Sequence, residues 1–494
     1  MKGDVTRATF RPARHFSSVR LQQGRVSLDA DWNEQADLTA HRHHTTARDL
    51  IGYCGGPLHA AAFAVLDPAT LPAAVQQELT DAGVLPLAAG DVLLGAGRYY
   101  VNGVLCECER PCSLLNQPDP PGAPALAEGR HLLYLHVWQR HLTWLDEAEL
   151  REVALGGPDT ATRARVVWQV GSLPVGAGDH CLTQLADWDT LTAPSTGTLR
   201  AQARSDAGDE GPCAVAADAR YRRLENQLYR VEIHESGGLN AATFKWSRDN
   251  GAVATSVLVF DGQDLTVGEV GRDALLSFAT GQWVELVHDG QELAGEPGLL
   301  FEIDSVDPAA GVVRLASAPA PVDLDLHPKL RRWESVGALT VRVPAANGGW
   351  LALEGGVEIR FAAGTYRTGD YWQIPARTAT ADVEWPRDEA GDALALPPAG
   401  IRHDYCRLAV VEVSNDLVVS PFSDCRSLFP PVTELTDFLY LGGDGQEVMP
   451  NLTQPGTRVP LALPLRVGVA NGRWPVPGAR VRFEVVDGNG QVVG

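Results

Sequence analysis

Oxygen-bearing side chains alternate at Asp29, Asp31 and Asn33, and His41, His43 and His44 follow within the same stretch. Alternating carboxylate and amide ligands open the calcium loop of a helix-loop-helix site. That loop also needs a glycine at its sixth position and a bidentate acid at its twelfth. Counted from Asp29, those positions hold Glu34 and Ala40, so the calcium pattern fails. His41 and His44 stand one helical turn apart, a spacing that suits zinc, but no Glu or Cys nearby completes a four-ligand set. Cys106, Cys108 and Cys112 form the only cysteine cluster. Strand alternation puts Cys106 and Cys108 on one face, with no knuckle and no second pair downstream. They are expected as buried thiols, or as a disulfide if the protein leaves the cell.

Lys245-Trp246-Ser247-Arg248-Asp249 could serve as a catalytic patch, but it adjoins Asn250-Gly251 and reads as an exposed hairpin tip. The Gly295–Gly298 stretch (GEPG) lacks the strand-loop-helix setting of a phosphate cradle. No nucleophile elbow, zinc-protease helix or phosphate-binding loop is found in the sequence. The expectation is therefore a non-enzyme with no catalytic residue, no metal ligand and no cofactor.

What must carry the N-terminal cluster is a strand-turn-helix arm over residues 1–60. Arg25–Leu28 is extended, and Asp31 and Glu34 have capping-box spacing. Trp32, Ala36, Ala40, His43, Ala47 and Leu50 then recur at steps of three and four, which is one helical face. Thin and alanine-rich, that face suits close packing on another helix or another copy of itself. It is the candidate assembly face.

The remainder is turn-rich, with Gly 50 and Pro 33, and its patterns are those of short strands. The predicted fold is mainly β and multi-domain, with small β-barrel or β-sandwich modules after the arm. Gly97–Glu109 holds two strands about Asn102-Gly103, a hairpin. In His131–Leu145, Leu133, Leu135 and Val137 alternate with Tyr134, His136 and Trp138. Boundaries are expected at 61–239 for a mixed domain, with a small acidic excursion at 201–217. A small barrel at 240–318 and a β domain at 328–440 follow, joined by a linker at Ala318–Leu326. A second linker spans 441–458, and 459–494 forms an incomplete immunoglobulin-like segment that ends early or borrows strands from a neighbour.

The formal charge of −21 argues against nucleic acid and anionic membrane surfaces as partners. Lysine occurs only at positions 2, 245 and 329, which reads as a composition bias toward arginine. The opening residues lack the apolar core of a signal peptide, and no apolar run is long enough for a membrane helix, so direct membrane insertion is not expected. Synthesis in the cytoplasm is expected, with release to the extracellular space open to an assembled particle.

Several phrases together resemble a family of large bacterial proteins associated with phage-tail-like contractile injection systems. They are QQGRVSLDADWNEQ (22–35), LREVALGGPDTATRARVVWQV (150–170), YRRLENQLYRVEIHE (221–235), ATFKWSRDNGAV (242–253), YRTGDYWQIPARTATADVEWP (366–386) and GIRHDYCRLAVVEV (400–413). The resemblance covers about 1–440. The DADWNEQ start also resembles the attachment region of phage tail and baseplate proteins, and PVPGARVRFEV (475–485) the opening of a bacterial immunoglobulin-like domain. The resemblance implies a structural role in a baseplate, spike-surrounding shell or fibre. Its partners would be other subunits of the particle, in a homo-oligomer. Two rivals stand beside this reading. One is an adhesin for carbohydrate or protein, with exposed aromatics near Tyr371-Trp372 and Trp138-Trp144 in a groove. The other is a hydrolase with paired carboxylates brought together from distant strands.

Overall fold

The computed structural model describes residues 2–119, 122–155, 159–204, 220–271, 276–345, 347–434, 437–449, 453–454, 458–471, 474–485 and 491–492. Helix α1 (Asp29–Ile51) is the one long helix among them. It starts where Leu28 is still extended and donates its backbone N–H to the Asp31 carboxylate at 3.3 Å; the capping box therefore lies three residues before the expected Asp31–Glu34 pair, and Glu34 accepts from Thr9 instead. Arg25–Leu28 carries no strand pairing. Ala30 and Leu38 face inward, and Gly52 (φ 96°) ends the helix.

The body is mainly β and built in nested fashion. The first lobe holds a sheet in the order Val419–Asp424, His403–Val413, Gly129–Leu142, Arg163–Val175, faced by Leu428–Phe429, Cys54–Pro57, Gly97–Val101 and Val104–Cys108. Leu133, Leu135, Val137, Cys106, Cys108, Leu408 and Val411 fill the space between. Between Arg163–Val175 and His403–Val413 the chain leaves to build a second lobe. Its central sheet runs Leu339–Thr340, Thr243–Ser247, Gln227–Glu235, Tyr371–Arg377, Asp382–Val383. Tyr229, Val231, Ile233, Phe244, Trp372 and Ile374 form its core. Between Thr243–Ser247 and Leu339–Thr340 the chain leaves again, for a closed six-stranded barrel: Ala254–Asp261, Asp264–Val267, Val312–Leu315, Leu299–Asp307, Trp283–Val287, Lys329–Trp333. The final unit is a three-stranded sheet of Asp437–Gly442, Arg466–Asn471 and Trp474–Pro475.

The barrel was anticipated, but the linear boundaries were not the right kind. His403–Val413 pairs with Gly129–Leu142, Trp138 opposite His403, so the ranges 61–239 and 328–440 each divide a lobe. Ala318–Leu326 is a loop inside the barrel module, because Lys329–Trp333 closes the barrel against both Trp283–Val287 and Ala254–Asp261. A Cys181–Cys425 disulfide, 244 residues apart in sequence, joins the first lobe across the point where the second is inserted. The hairpin at Gly97–Cys108 forms as expected, with Asn102 (φ 49°) and Gly103 (φ 82°) as its turn. The turn at Asp249–Gly251 does not make a hairpin. Its two flanking strands pair elsewhere, one in the central sheet and one in the barrel, and Asn250-Gly251 carries the chain between modules. Most of the acidic excursion at 201–217 lies outside the described residues; its first residues end the strand Leu199–Ala203.

Candidate functional site: an open helix face and a buried charged seam

The polar side chains at the start of α1 are used to stitch the N-terminal segment onto the helix. Asp29 accepts from the Thr6 amide at 2.8 Å and the Thr6 hydroxyl at 2.6 Å. Burial pushes the Asp29 carboxyl up, but these donors and the Ala30 amide outweigh it and leave it below its ordinary value. Glu34 accepts from the Thr9 hydroxyl at 2.7 Å and Gln35 from the Val19 amide at 2.9 Å. The Phe10 ring lies 5.6 Å from His41. On the other flank the Gly103 turn touches the helix: a Cβ there would lie 2.0 Å from the His44 carbonyl oxygen, so only glycine permits that approach.

With one flank covered by the segment and another by the first lobe, a third side of α1 is left open. Trp32 is 70% exposed and Leu50 81%. Ala36 and His43 are exposed, Ala40 and Ala47 half-buried. Trp32, Gln35, Ala36, Thr39, Ala40, His43 and His44 line a shallow concavity of about 500 Å³. All six residues expected on the assembly face therefore lie together on one uncovered side. Trp32 is the most prominent, and monomeric proteins rarely leave such a contiguous apolar surface without a use.

The other concentration of chemistry was missed by the sequence reading. Lys245, Trp246 and Ser247 do not sit on an exposed tip; all three are buried. On Gln227–Glu235, Tyr229, Val231 and Ile233 point into the lobe core, while Arg230, Glu232 and His234 on the opposite face are also buried. Glu232 pairs with Lys2 at 3.0 Å, Arg230 at 2.6 Å and Lys245 at 3.5 Å. Lys245 makes a close ion pair with Glu285 of the barrel, which also accepts from the Trp333 indole at 2.9 Å. Burial opposes ionisation of Glu232, yet Lys2, Arg230 and Lys245 overcome it and hold that carboxyl far below its usual range. The N-terminal segment enters here too: the Asn250 amide donates to the Gly3 carbonyl at 2.9 Å.

Between the first lobe and the barrel lies a matching cluster. Arg140 meets Asp146 at 3.1 Å and Glu292 at 2.7 Å, and Lys329 closes on Asp146 and reaches Glu292 at 3.1 Å. Oxygens of Asp146, Asp289 and Glu292 lie within 4.8 Å of one another, a group that could hold a cation; the Lys329 ammonium and Arg140 guanidinium already sit among them. Burial alone would lower the Lys329 pKa, but Glu292 and Asp146 raise it above its ordinary value. The first-lobe sheet itself carries an aromatic row on its strands Gly129–Leu142 and His403–Val413. His136 and His403 meet at 2.8 Å through ring nitrogens, and Tyr405 stacks on His136 with centroids 4.5 Å apart. Burial pushes His136 down to about 3 and His403 to about 4.

The remaining residues singled out in the sequence are packed inside. Cys106, Cys108 and Cys112 are buried in the first-lobe core. Trp138 and Trp372 are buried, Tyr371 lies under the Arg230 guanidinium at 3.7 Å, and Trp144 under that of Arg151 at 3.6 Å. They do not form the open groove imagined for a ligand. Every lysine of the chain enters one of the two buried clusters, so the lysine positions are structural choices and not a simple composition bias.

The chain belongs to a family of unknown function, DUF6519, which matches residues 1–194 and 189–471. No curated protein and no solved structure matches it.

Proposed function

With membership of that family as the premise, we propose that the protein is a structural subunit of a contractile, phage-tail-like particle, attached to its neighbours through α1. The observation that carries the reading is the open side of α1, where Trp32, Ala36, His43 and Leu50 are exposed and Ala40 and Ala47 half-buried on a helix otherwise fixed on two flanks. An apolar stripe with a large aromatic at one end and alanines along its length suits burial against another helix at close distance. The charged seam supports the same role. Ion pairs that join the lobes and the barrel hold their relative orientation, as a load-transmitting part requires. The strongly acidic surface fits partners bearing basic patches.

The test is fractionation of the source cells. Contractile-type particles are sedimented and their proteins quantified by mass spectrometry, with wild-type and Trp32→Glu chains expressed in place. The proposal expects the wild type in the pellet at a fixed ratio to sheath and tube proteins, and the variant in the soluble fraction. Wild-type protein that remains soluble contradicts it.

A further inference from the structure

The segment that precedes α1 differs in charge from the rest of the chain. Residues 5–28 carry Arg7, Arg11, Arg14, Arg20 and Arg25 and no acid. Of the chain's formal −21 this stretch accounts for +5, so the other residues carry −26. Arg7 is engaged within the molecule by Glu384 at 2.7 Å. Arg11, Arg14, Arg20 and Arg25 are exposed and make no ion pair among the described residues. Each of the last three stands within two positions of an exposed apolar residue: Phe16 (54% exposed), Leu21 (61%) and Val26 (86%). Between residues 11 and 27 one hydrogen bond ties the segment to α1, from the Val19 amide to Gln35. Holding an open shape costs such a segment chain entropy, with little burial in return.

The barrel presents the complementary surface. Its described residues, within 254–333, expose eight carboxylates and a single arginine or lysine, Arg314. One face is made by Ala254–Asp261, Asp264–Val267, Val312–Leu315 and Leu299–Asp307, which are successive neighbours around the barrel. On it Asp261 stands opposite Asp264, Asp264 opposite Arg314, and Arg314 opposite Ser305, next to Asp304. Arg314 meets Asp264 at 2.9 Å and Asp304 at 3.7 Å. Asp261 and Asp307 are exposed and have no ion pair among the described residues. Val259 is 50% exposed on the same face as Asp261.

We propose that residues 11–28 of one copy dock on this barrel face of a second copy, arginines against carboxylates and the segment's exposed apolar side chains against Val259. Three observations select that occupant. Within one chain the segment is held on α1 through Thr6, Thr9 and Val19, and its four exposed arginines reach no acid of their own barrel. Bodies that each carry −26 repel one another unless a basic element lies between them. Both surfaces set charge beside exposed apolar residues, with opposite sign. A nucleic acid would meet the same four arginines, but the −26 of the remaining chain repels its phosphates. The contact uses neither the open side of α1 nor the buried seam, so its failure would leave the assembly reading of α1 standing.

Sedimentation equilibrium of the purified full-length chain tests the contact. At about 50 mM salt the wild-type mass should rise above the single-chain value with concentration, and it should return to that value at about 0.5 M salt, where exposed charges are screened. An Arg14→Glu, Arg20→Glu variant should stay at the single-chain mass, and so should an Asp261→Arg, Asp304→Arg variant. Both change only exposed residues and should keep the wild-type denaturation midpoint. Mixed in equal amounts, the two should associate as the wild type does, because each supplies the charge that the other has reversed. Trp32→Glu should associate normally.

A wild type that keeps the single-chain mass at low salt overturns the proposal, as does a mixture of the two variants that fails to associate. Association lost in Trp32→Glu but kept in the arginine variant would move the contact to α1 and overturn it as well. Binding of a DNA duplex through Arg14 and Arg20, by a chain that remains single, would make a nucleic acid the partner instead.

Discussion

Helix α1 and the segment around Lys245 present opposite cases. The helix opens with the densest polar cluster in the sequence, yet its acids cap it and bind a neighbouring strap, and its contribution outward is an apolar stripe. The Lys245 segment has the pattern of an ordinary turn, yet it lies in the middle of a buried ionic seam joined to residues 2, 232 and 285. Local crowding of polar residues marks where a chain changes element. Convergence of charge from distant segments marks where modules are held together, and only the fold reveals it.

If that contrast is right, substitutions in the two regions should separate stability from assembly. The largest effect is expected from Lys329→Met. It removes the ammonium that closes on Asp146 and reaches Glu292, and breaking a buried pair of this kind costs roughly 3–5 kcal/mol. Chemical denaturation should show it as a lowered midpoint with loss of cooperativity between barrel and first lobe. A midpoint equal to wild type would mean that the seam contributes nothing to cohesion.

Acid should strike first at the buried histidine pair of the first lobe. His136 and His403 have depressed values in the folded chain, so the folded state binds fewer protons than the unfolded state below about pH 6.5. Their contribution is complete above pH 6.5 and is lost as pH falls toward the folded values of about 3 and about 4. At pH 5 the loss should be about 2 kcal/mol per histidine, taking about 1.4 kcal/mol for each pH interval of one. The buried carboxylates Glu232 and Glu292, held low by lysine and arginine, fail in a lower window below about 4.5. Unfolding free energies at pH 7.5 and 5.0 measure the histidine window. A His136→Gln, His403→Gln double variant should lose most of the difference, and a slope unchanged by that variant would exclude the pair as its source.

Much of this was readable in advance, but unevenly. The hairpin at Gly97–Cys108 needs only two adjacent strands and an Asn-Gly turn, and its signal is local. The face from Trp32 to Leu50 needs only helical period. By contrast, the pairing of His403 with Trp138 and the closure of the barrel by Lys329–Trp333 join segments separated by long insertions, and no nearby residue encodes them. The face carrying Arg230, Glu232 and His234 alternates with apolar residues just as a solvent-exposed strand face would. Its burial depends on the barrel lying over it. The three lysines were the available signal: in a chain that otherwise uses arginine, each marks a small cation kept inside.

A smaller effect is expected at the strap. Thr6→Val removes the hydroxyl donor to Asp29 and should cost about 1 kcal/mol. Amide exchange of residues 2–9 should quicken while the barrel amides are unaffected; unchanged exchange there would show that Asp29 does not hold the segment. Trp32→Glu should have the least effect on folding, within about 0.5 kcal/mol, since the indole is largely exposed.

The measurement that bears most directly on the central claim pairs that last variant with Lys329→Met, scoring each for denaturation midpoint and for recovery in sedimented particles. Trp32→Glu should keep the wild-type midpoint and leave the particle. Lys329→Met should lose stability, and whatever folded chain remains should still assemble. Trp32→Glu recovered in the particle at the wild-type ratio would contradict the account, because α1 would then not be the surface that joins this protein to its neighbours.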